Sequence, residues 1–136
     1  MESDRPDLGA MVLRLGRRLI AMEEPILARH GVTMWAYIVL TALRRDTRSQ
    51  AALAQSIGAD KTRLIPVLDD LQKRGLIERD PDPADRRVRL LALTGEGRAK
   101  QRAIQQEIRA AEEEMLRNVD VVSFTRALMT LTRDEL

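Results

Sequence analysis

The stretch Gly58–Leu93, GADKTRLIPVLDDLQKRGLIERDPDPADRRVRLLAL, constrains this chain most, because it reads as one amphipathic helix running straight into one basic hairpin. At about 100° per residue, Leu64, Val67, Leu68 and Leu71 share one stripe, while Thr62, Pro66, Asp69 and Lys73 point the opposite way. One face packs and the other is presented. Asp60 is placed to cap the first turn and Gly75 to stop the helix after Lys73 and Arg74, which sets it at 60–74.

Beyond the helix, Leu76–Asp80 reads as a short strand. In a second strand, Arg87–Leu93, Val88, Leu90 and Ala92 alternate with Arg87, Arg89 and Leu91. The prolines and aspartates of PDPADR interrupt a ladder, so they are read as the hairpin tip. Upstream, SQAALAQSIG predicts a second short helix, with Ser49 as N-cap, Gly58 as terminator, and Leu53 and Ile57 on one side. Two helices joined by a short glycine-containing turn, followed by a hairpin, form a winged helix-turn-helix, a DNA-reading arrangement.

The run LAQSIGADKTRLIPVLDDLQKRGLIERDPDPADRRVRLLALTGEGRA resembles the MarR family of bacterial transcriptional regulators. The resemblance rests on the helix-turn-helix, the K/R-G-L-I turn into the wing, the D-x-R formed by Asp85, Arg86 and Arg87, and the Leu93-Thr94 ending that starts the next helix. It implies a mainly α fold with a small antiparallel β wing, a homodimer, and one MarR-like domain over 1–136. Within that domain it implies an N-terminal dimerisation helix at 1–30, a winged lobe at 33–93 and C-terminal dimerisation helices at 94–136.

The flanks support that division by their own pattern. Leu8, Val12, Leu15, Leu19, Met22 and Ile26 step by 4 and 3 residues, a heptad-type seam, with Leu13, Ile20 and Leu27 beside it. Pro25 predicts a kink there, because it removes one helical hydrogen bond. His30 and Gly31 end this helix, Thr33 caps the next, and MWAYIVLTAL is apolar nearly all round, which places it in the middle of the fold. Arg44–Arg48 reads as a polar link. Thr94 caps a helix of roughly 20 to 25 residues, and Gly95-Glu96-Gly97 is read as its entry. Ile104, Ile108, Ala111 and Met115 form its seam, and Asp120 caps a last helix bearing Val121, Phe124, Leu128 and Leu131. A compact lobe leaves these terminal seams uncovered, so a two-fold dimer built from both ends is expected.

Composition excludes other classes. With no cysteine, there is no disulfide framework or thiol switch, and a single histidine argues against a histidine-rich metal site. The residues include no partnered nucleophile and base and no phosphate loop, so neither enzyme chemistry nor a cofactor is expected. One Trp, one Tyr and one Phe leave the core to Leu, Ile, Val, Ala and Met. Net charge is only +2, but it is uneven: Gly58–Arg102 holds 11 basic and 8 acidic residues, Ala103–Leu136 holds 4 and 7. The basic excess lies with the winged motif, as nucleic-acid binding requires. The start MESDRPD lacks signal-peptide order, and a cytoplasmic protein is expected.

Position assigns roles on DNA. Lys61, Thr62 and Arg63 occupy the first turn of the recognition helix, where Arg63 suits a bidentate contact to guanine and Thr62 offers a methyl to thymine. Pro66 shares the outermost line and departs from the polar residue that many family members carry there, so it contributes shape or apolar contact. By the resemblance, Arg87 is the minor-groove arginine, Asp85 orients it, and Arg86 meets phosphate. Ser49 and Gln50 are placed to hold the DNA backbone.

The resemblance also implies a small anionic or aromatic effector near the junction of lobe and dimer helices, with Met11, Arg14, His30, Met34, Trp35 and Tyr37 as candidates. The sequence therefore points to a homodimeric, sequence-specific double-stranded DNA regulator, and the resemblance implies a repressor released by an effector. A winged-helix protein-interaction module is the alternative.

Overall fold

The computed structural model describes residues 4–133; the outermost residues of the expected terminal segments, 1–3 and 134–136, lie outside the described residues. The chain runs α1 (Leu8–Arg29), α2 (Met34–Leu43), β1 (Arg48–Ser49), α3 (Gln50–Ile57), α4 (Lys61–Lys73), β2 (Ile77–Asp82), β3 (Asp85–Leu93), α5 (Gly95–Met115) and α6 (Val121–Leu131). Local chemistry explains where these helices start. Side chains of Thr33, Ser49, Asp60, Thr94 and Asp120 each accept a backbone N–H of the following first turn, from Ala36, Ala52, Thr62, Gly97 and Ser123. At the other end of α4, Gly75 takes φ +73°, the left-handed conformation that lets the chain turn at once into the wing.

One core is shared by lobe and flanking helix. Val39 and Leu40 of α2, Leu53 of α3, Leu64, Leu68 and Leu71 of α4, Ile77 of β2, Leu91 of β3 and Ile104 of α5 are all essentially sealed from solvent. Each such side chain contributes roughly 1.5–3 kcal/mol of burial, so these residues dominate the stability of the lobe. The buried apolar set is Leu, Ile, Val and Ala alone; Met34 and Tyr37 pack only at its margin.

Four expectations are corrected. The polar link ends in a third strand: β1 pairs with β3 through Arg48↔Leu91 and Ser49↔Leu90, giving the antiparallel order β1-β3-β2. The hairpin is longer than its prolines suggested, since Pro81 sits opposite Arg89 and Asp82 opposite Asp85, with a bulge between Pro81 and Asp82. Only Pro83 and Ala84 remain as the tip. An edge strand spares proline its missing donor, and the bulge absorbs the irregularity.

The face assignment of β3 also changes: Leu91, grouped with the arginines by alternation, is fully buried, while Leu90 stays half-exposed. Arg87 and Arg89 share its parity but lie farther out, where the ribbon has left the body of the lobe. Finally, Ile104 and Ile108 pack within their own chain instead of forming a free seam, and Gln101 is buried beside them, donating to Thr41 Oγ1 at 3.4 Å.

The outer half of α1 and all of α6 behave as expected of uncovered surfaces. α1 is continuous through Pro25, buries only Ile26 and Leu27, and leaves Leu8, Val12, Leu13 and Ile20 exposed. α6 buries nothing, and Leu131 is 82% exposed. Between these regions, Glu107 of α5 takes Arg29 Nη2 at 3.0 Å and the His30 ring nitrogen, tying the end of α1 to α5. His30 and Arg29 hold its carboxyl below the usual glutamate range.

The tightest approach in the fold is at Gly97, where a Cβ would lie 1.9 Å from the Leu76 carbonyl oxygen. Gly97→Ala must displace backbone and is expected to cost about 1–3 kcal/mol, lowering the thermal midpoint by several degrees. Gly95→Ala, where nothing lies within 4 Å, is expected to match or exceed the parent. Circular-dichroism melts of the two variants check this.

Candidate nucleic-acid interface

The recognition helix presents what its stripe leaves over. Leu64, Leu68 and Leu71 anchor α4, so Lys61, Thr62, Arg63 and Pro66 stand in solvent on its first turn and a half. Asp60 fixes that turn: its side chain accepts from Thr62 N at 3.1 Å, and its carbonyl accepts from the Arg63 and Leu64 amides. Pro66 lacks the N–H that would otherwise reach the Thr62 carbonyl.

The wing is ordered by its own carboxylates. Asp82 accepts from Ala84 N at 2.9 Å and closes the tip. Asp85 accepts three times from Arg87: from the backbone amide at 3.1 Å, from Nε at 3.2 Å and from Nη2 at 3.4 Å. Turn chemistry and side-chain orientation thus occur together in one residue. The bonds to the Arg87 side chain, then to its backbone amide, lower the Asp85 carboxyl below its ordinary value. Arg87 itself is 91% exposed, pre-oriented yet open to a partner. Arg86 is exposed beside it and has no ion pair among the described residues.

The third strand brings the two halves together. Because β1 pairs with β3, the N-terminus of α3 lies against the wing, and a concavity of about 240 Å³ is lined by Ser49, Gln50, Lys61, Arg87 and Arg89, together with Ala51 and Val88. Four of the residues singled out from the sequence meet there: Ser49, Gln50, Lys61 and Arg87. Thr62, Arg63 and Pro66 stand farther along the exposed face of α4, and Asp85 and Arg86 lie toward the tip. Arg89 was missed. Its signal is the two-residue strand period from Arg87, which marks an exposed face only because β3 leaves the lobe there.

The six effector candidates are dispersed over several environments. Met11 and Arg14 stand exposed on α1, Met34 and Tyr37 flank the lobe core, Trp35 is half-buried, and His30 is engaged by Glu107. Burial raises the Tyr37 phenol and the Glu23 carboxyl, the latter helped by the Glu112 charge. A concavity of about 480 Å³ between α1, α5 and α6 has other walls, among them Leu15, Leu19, Arg109, Leu116 and Phe124.

Comparison with known proteins agrees with the winged-helix fold. The MarR family model matches residues 30–88, from the end of α1 to the middle of β3. The HTH-type transcriptional regulator YdgJ of Bacillus subtilis is 30% identical over 90 residues, covering 65% of this chain and 55% of that protein. The chain spans about half the length of the curated relatives it matches.

Among solved structures, CouR from Rhodococcus jostii RHA1 bound to p-coumaroyl-CoA is 26% identical with a TM-score of 0.83, over 98% of this chain and 94% of that one. A MarR protein from E. coli complexed with operator DNA has a TM-score of 0.76 at 23% identity, over 91% and 92%. No single described helix is long and apolar enough to cross a membrane.

The Asp85–Arg87 contact has a pH signature. A carboxyl lowered in the folded chain keeps its pairing above the ordinary aspartate range and loses it as pH falls through the lowered value. Side-chain NMR titration is expected to place Asp85 below that range, with Arg87→Ala moving it back up. A midpoint unmoved by the substitution would contradict the contact.

Proposed function

We propose, from the premise that the winged lobe of this chain belongs to the MarR family, that the protein is a homodimeric transcriptional regulator binding double-stranded DNA sequence-specifically. The observation that carries this reading is the joint presentation, on one side of one lobe, of the recognition-helix turn Lys61–Thr62–Arg63 and the oriented wing arginine Arg87. α4 enters the major groove, where Arg63 reads a base edge and Thr62 and Pro66 give apolar contact. Arg87 enters the adjacent minor groove, Arg86 and Arg89 hold phosphate, and Ser49 and Gln50 fix register. MarR from E. coli complexed with operator DNA has the same fold, which supports this docking.

Dimerisation follows from the uncovered apolar surfaces of α1 and α6. Leu8, Val12 and Leu13 at one end, and Val122, Met129 and Leu131 at the other, expose large side chains that a second copy covers with two-fold symmetry. A pseudo-palindromic operator is the matching DNA, and a cytoplasmic site follows from that target. Repression relieved by a small anionic or aromatic effector completes the reading. His30, Met34, Trp35 and Tyr37 lie at or near the α1–α2 turn that links dimer helices to lobe, Met11 and Arg14 stand on the outer half of α1, and CouR, of similar fold, is bound to p-coumaroyl-CoA. An effector that spreads the two lobes releases DNA, because recognition helices must match half-sites about one helical turn apart.

Fluorescence anisotropy with DNA from upstream of the chain's own gene, against an unrelated duplex at two salt concentrations, tests the reading. Tight, salt-dependent binding that prefers the upstream duplex is expected. Arg87→Ala is expected to weaken it about tenfold, and Arg63→Ala to cost about 1–3 kcal/mol and relax base preference. Equal weak binding to both duplexes, indifferent to both substitutions, would favour a protein-interaction module instead.

A further inference from the structure

Asp69 poses a problem for a DNA-reading helix. It lies on the outward line of α4 with Thr62 and Pro66, where a carboxylate opposes the phosphate backbone. In the folded chain it is engaged by Arg79 of β2, whose Nη2 donates to Asp69 Oδ1 while its Nε donates to Gln72 Oε1 at 3.1 Å. Asp69 and Gln72 are three residues apart on one face of α4. A planar guanidinium bonded to both fixes distance and rotation together, as a single ion pair does not. Only 19% of the Arg79 side chain is exposed, and its backbone is paired with the buried Leu91.

The wing needs such a restraint. β1 supports β3 only at Leu90 and Leu91, so from Arg89 to the tip the wing is a two-stranded ribbon, marginal by itself. Among the described residues, the two bonds from Arg79 are the side-chain hydrogen bonds that join α4 to the wing. Gln50, Ile65 and Arg89 complete the elbow around them, a concavity of about 390 Å³.

We propose that Arg79 is a positioning residue that clamps the wing at a fixed angle to the recognition helix and screens Asp69 from the DNA backbone. Arg63 and Arg87 then enter adjacent grooves of one site together. The inference rests on the DNA-binding reading for its purpose, but the clamp itself is a property of the free protein.

The test therefore has two arms, run on Arg79→Met, Arg79→Lys, Asp69→Asn and the double variant Arg79→Met/Asp69→Asn. In the DNA-free full chain, hydrogen–deuterium exchange over residues 78–89 is expected to rise about tenfold in Arg79→Met and less in Arg79→Lys, with the core of α4 still protected. Unchanged exchange would overturn the clamp.

In the second arm, anisotropy uses a duplex selected by the parent protein from a random pool, and the same duplex with its A·T-rich flanks replaced by G·C. Arg79→Met is expected to lose about tenfold in affinity and all preference between flanks, since that preference is read by the wing. The double variant is expected to regain affinity on both duplexes without regaining the preference. Intact flank preference in Arg79→Met, or an equal loss on both duplexes with a shallower salt dependence, would make Arg79 a bystander or a phosphate contact and overturn the proposal. A parent that selects no duplex sinks the DNA reading alone, and the exchange arm still decides the clamp.

Discussion

The carbonyl of Leu76 is the point on which the lobe turns. It accepts from Thr94 N at 3.2 Å, and the backbone of α5 approaches it so closely at Gly97 that no side-chain carbon fits between them. Beside it, Thr94 Oγ1 donates to the Gly75 carbonyl at 2.6 Å and accepts from Gly97 N at 2.9 Å, while Leu76 N returns to the Leu71 carbonyl. The end of α4, both roots of the wing and the start of α5 are thereby held in one hydrogen-bonded knot. The wing's roots are fixed at this knot, and its angle is set farther out, where Arg79 meets Asp69 and Gln72.

Charge on the outer face is distributed in a way that suits such an arrangement. Arg48 is committed to Asp46 and Ser56, Arg74 to the Gly31 carbonyl, and Arg79 to α4. Lys61, Arg63, Arg86 and Arg89 have no ion pair among the described residues. The carboxylates in these pairs are exposed, and such surface pairs typically contribute under about 1 kcal/mol, so the geometry they fix matters more than the stability they add. The unpaired cations are the groups that gain most from meeting phosphate.

What could be read from the sequence was what is local. Capping residues sit beside the turns they satisfy, and the 3.6-residue stripe of α4 names its buried face, so α4 came within a residue at both ends and α2, α3, α5 and α6 start directly after the caps named for them. What escaped depends on partners distant in sequence. The pairing of Arg48 and Ser49 with β3 is two residues long and carries no period of its own. Leu91 is buried in the part of β3 that is paired on both sides and packs toward the helices of the lobe. Ile104 and Ile108 repeat like a coiled-coil seam, yet their own chain provides the surface that covers them. In α6, by contrast, no residue is fully buried, and Val122, Met129 and Leu131 stand exposed.

The account claims that two lobes, each with helix and wing fixed to one another, read one two-fold DNA site. Hydroxyl-radical footprinting of the parent protein on its selected duplex tests that claim most directly, because the radical reports minor-groove and sugar protection base by base. The expected pattern is two equivalent sets of protection related by a two-fold axis and about one helical turn apart, each with a protected A·T-rich minor-groove flank. A single asymmetric patch, or protection without minor-groove flanks, would contradict it.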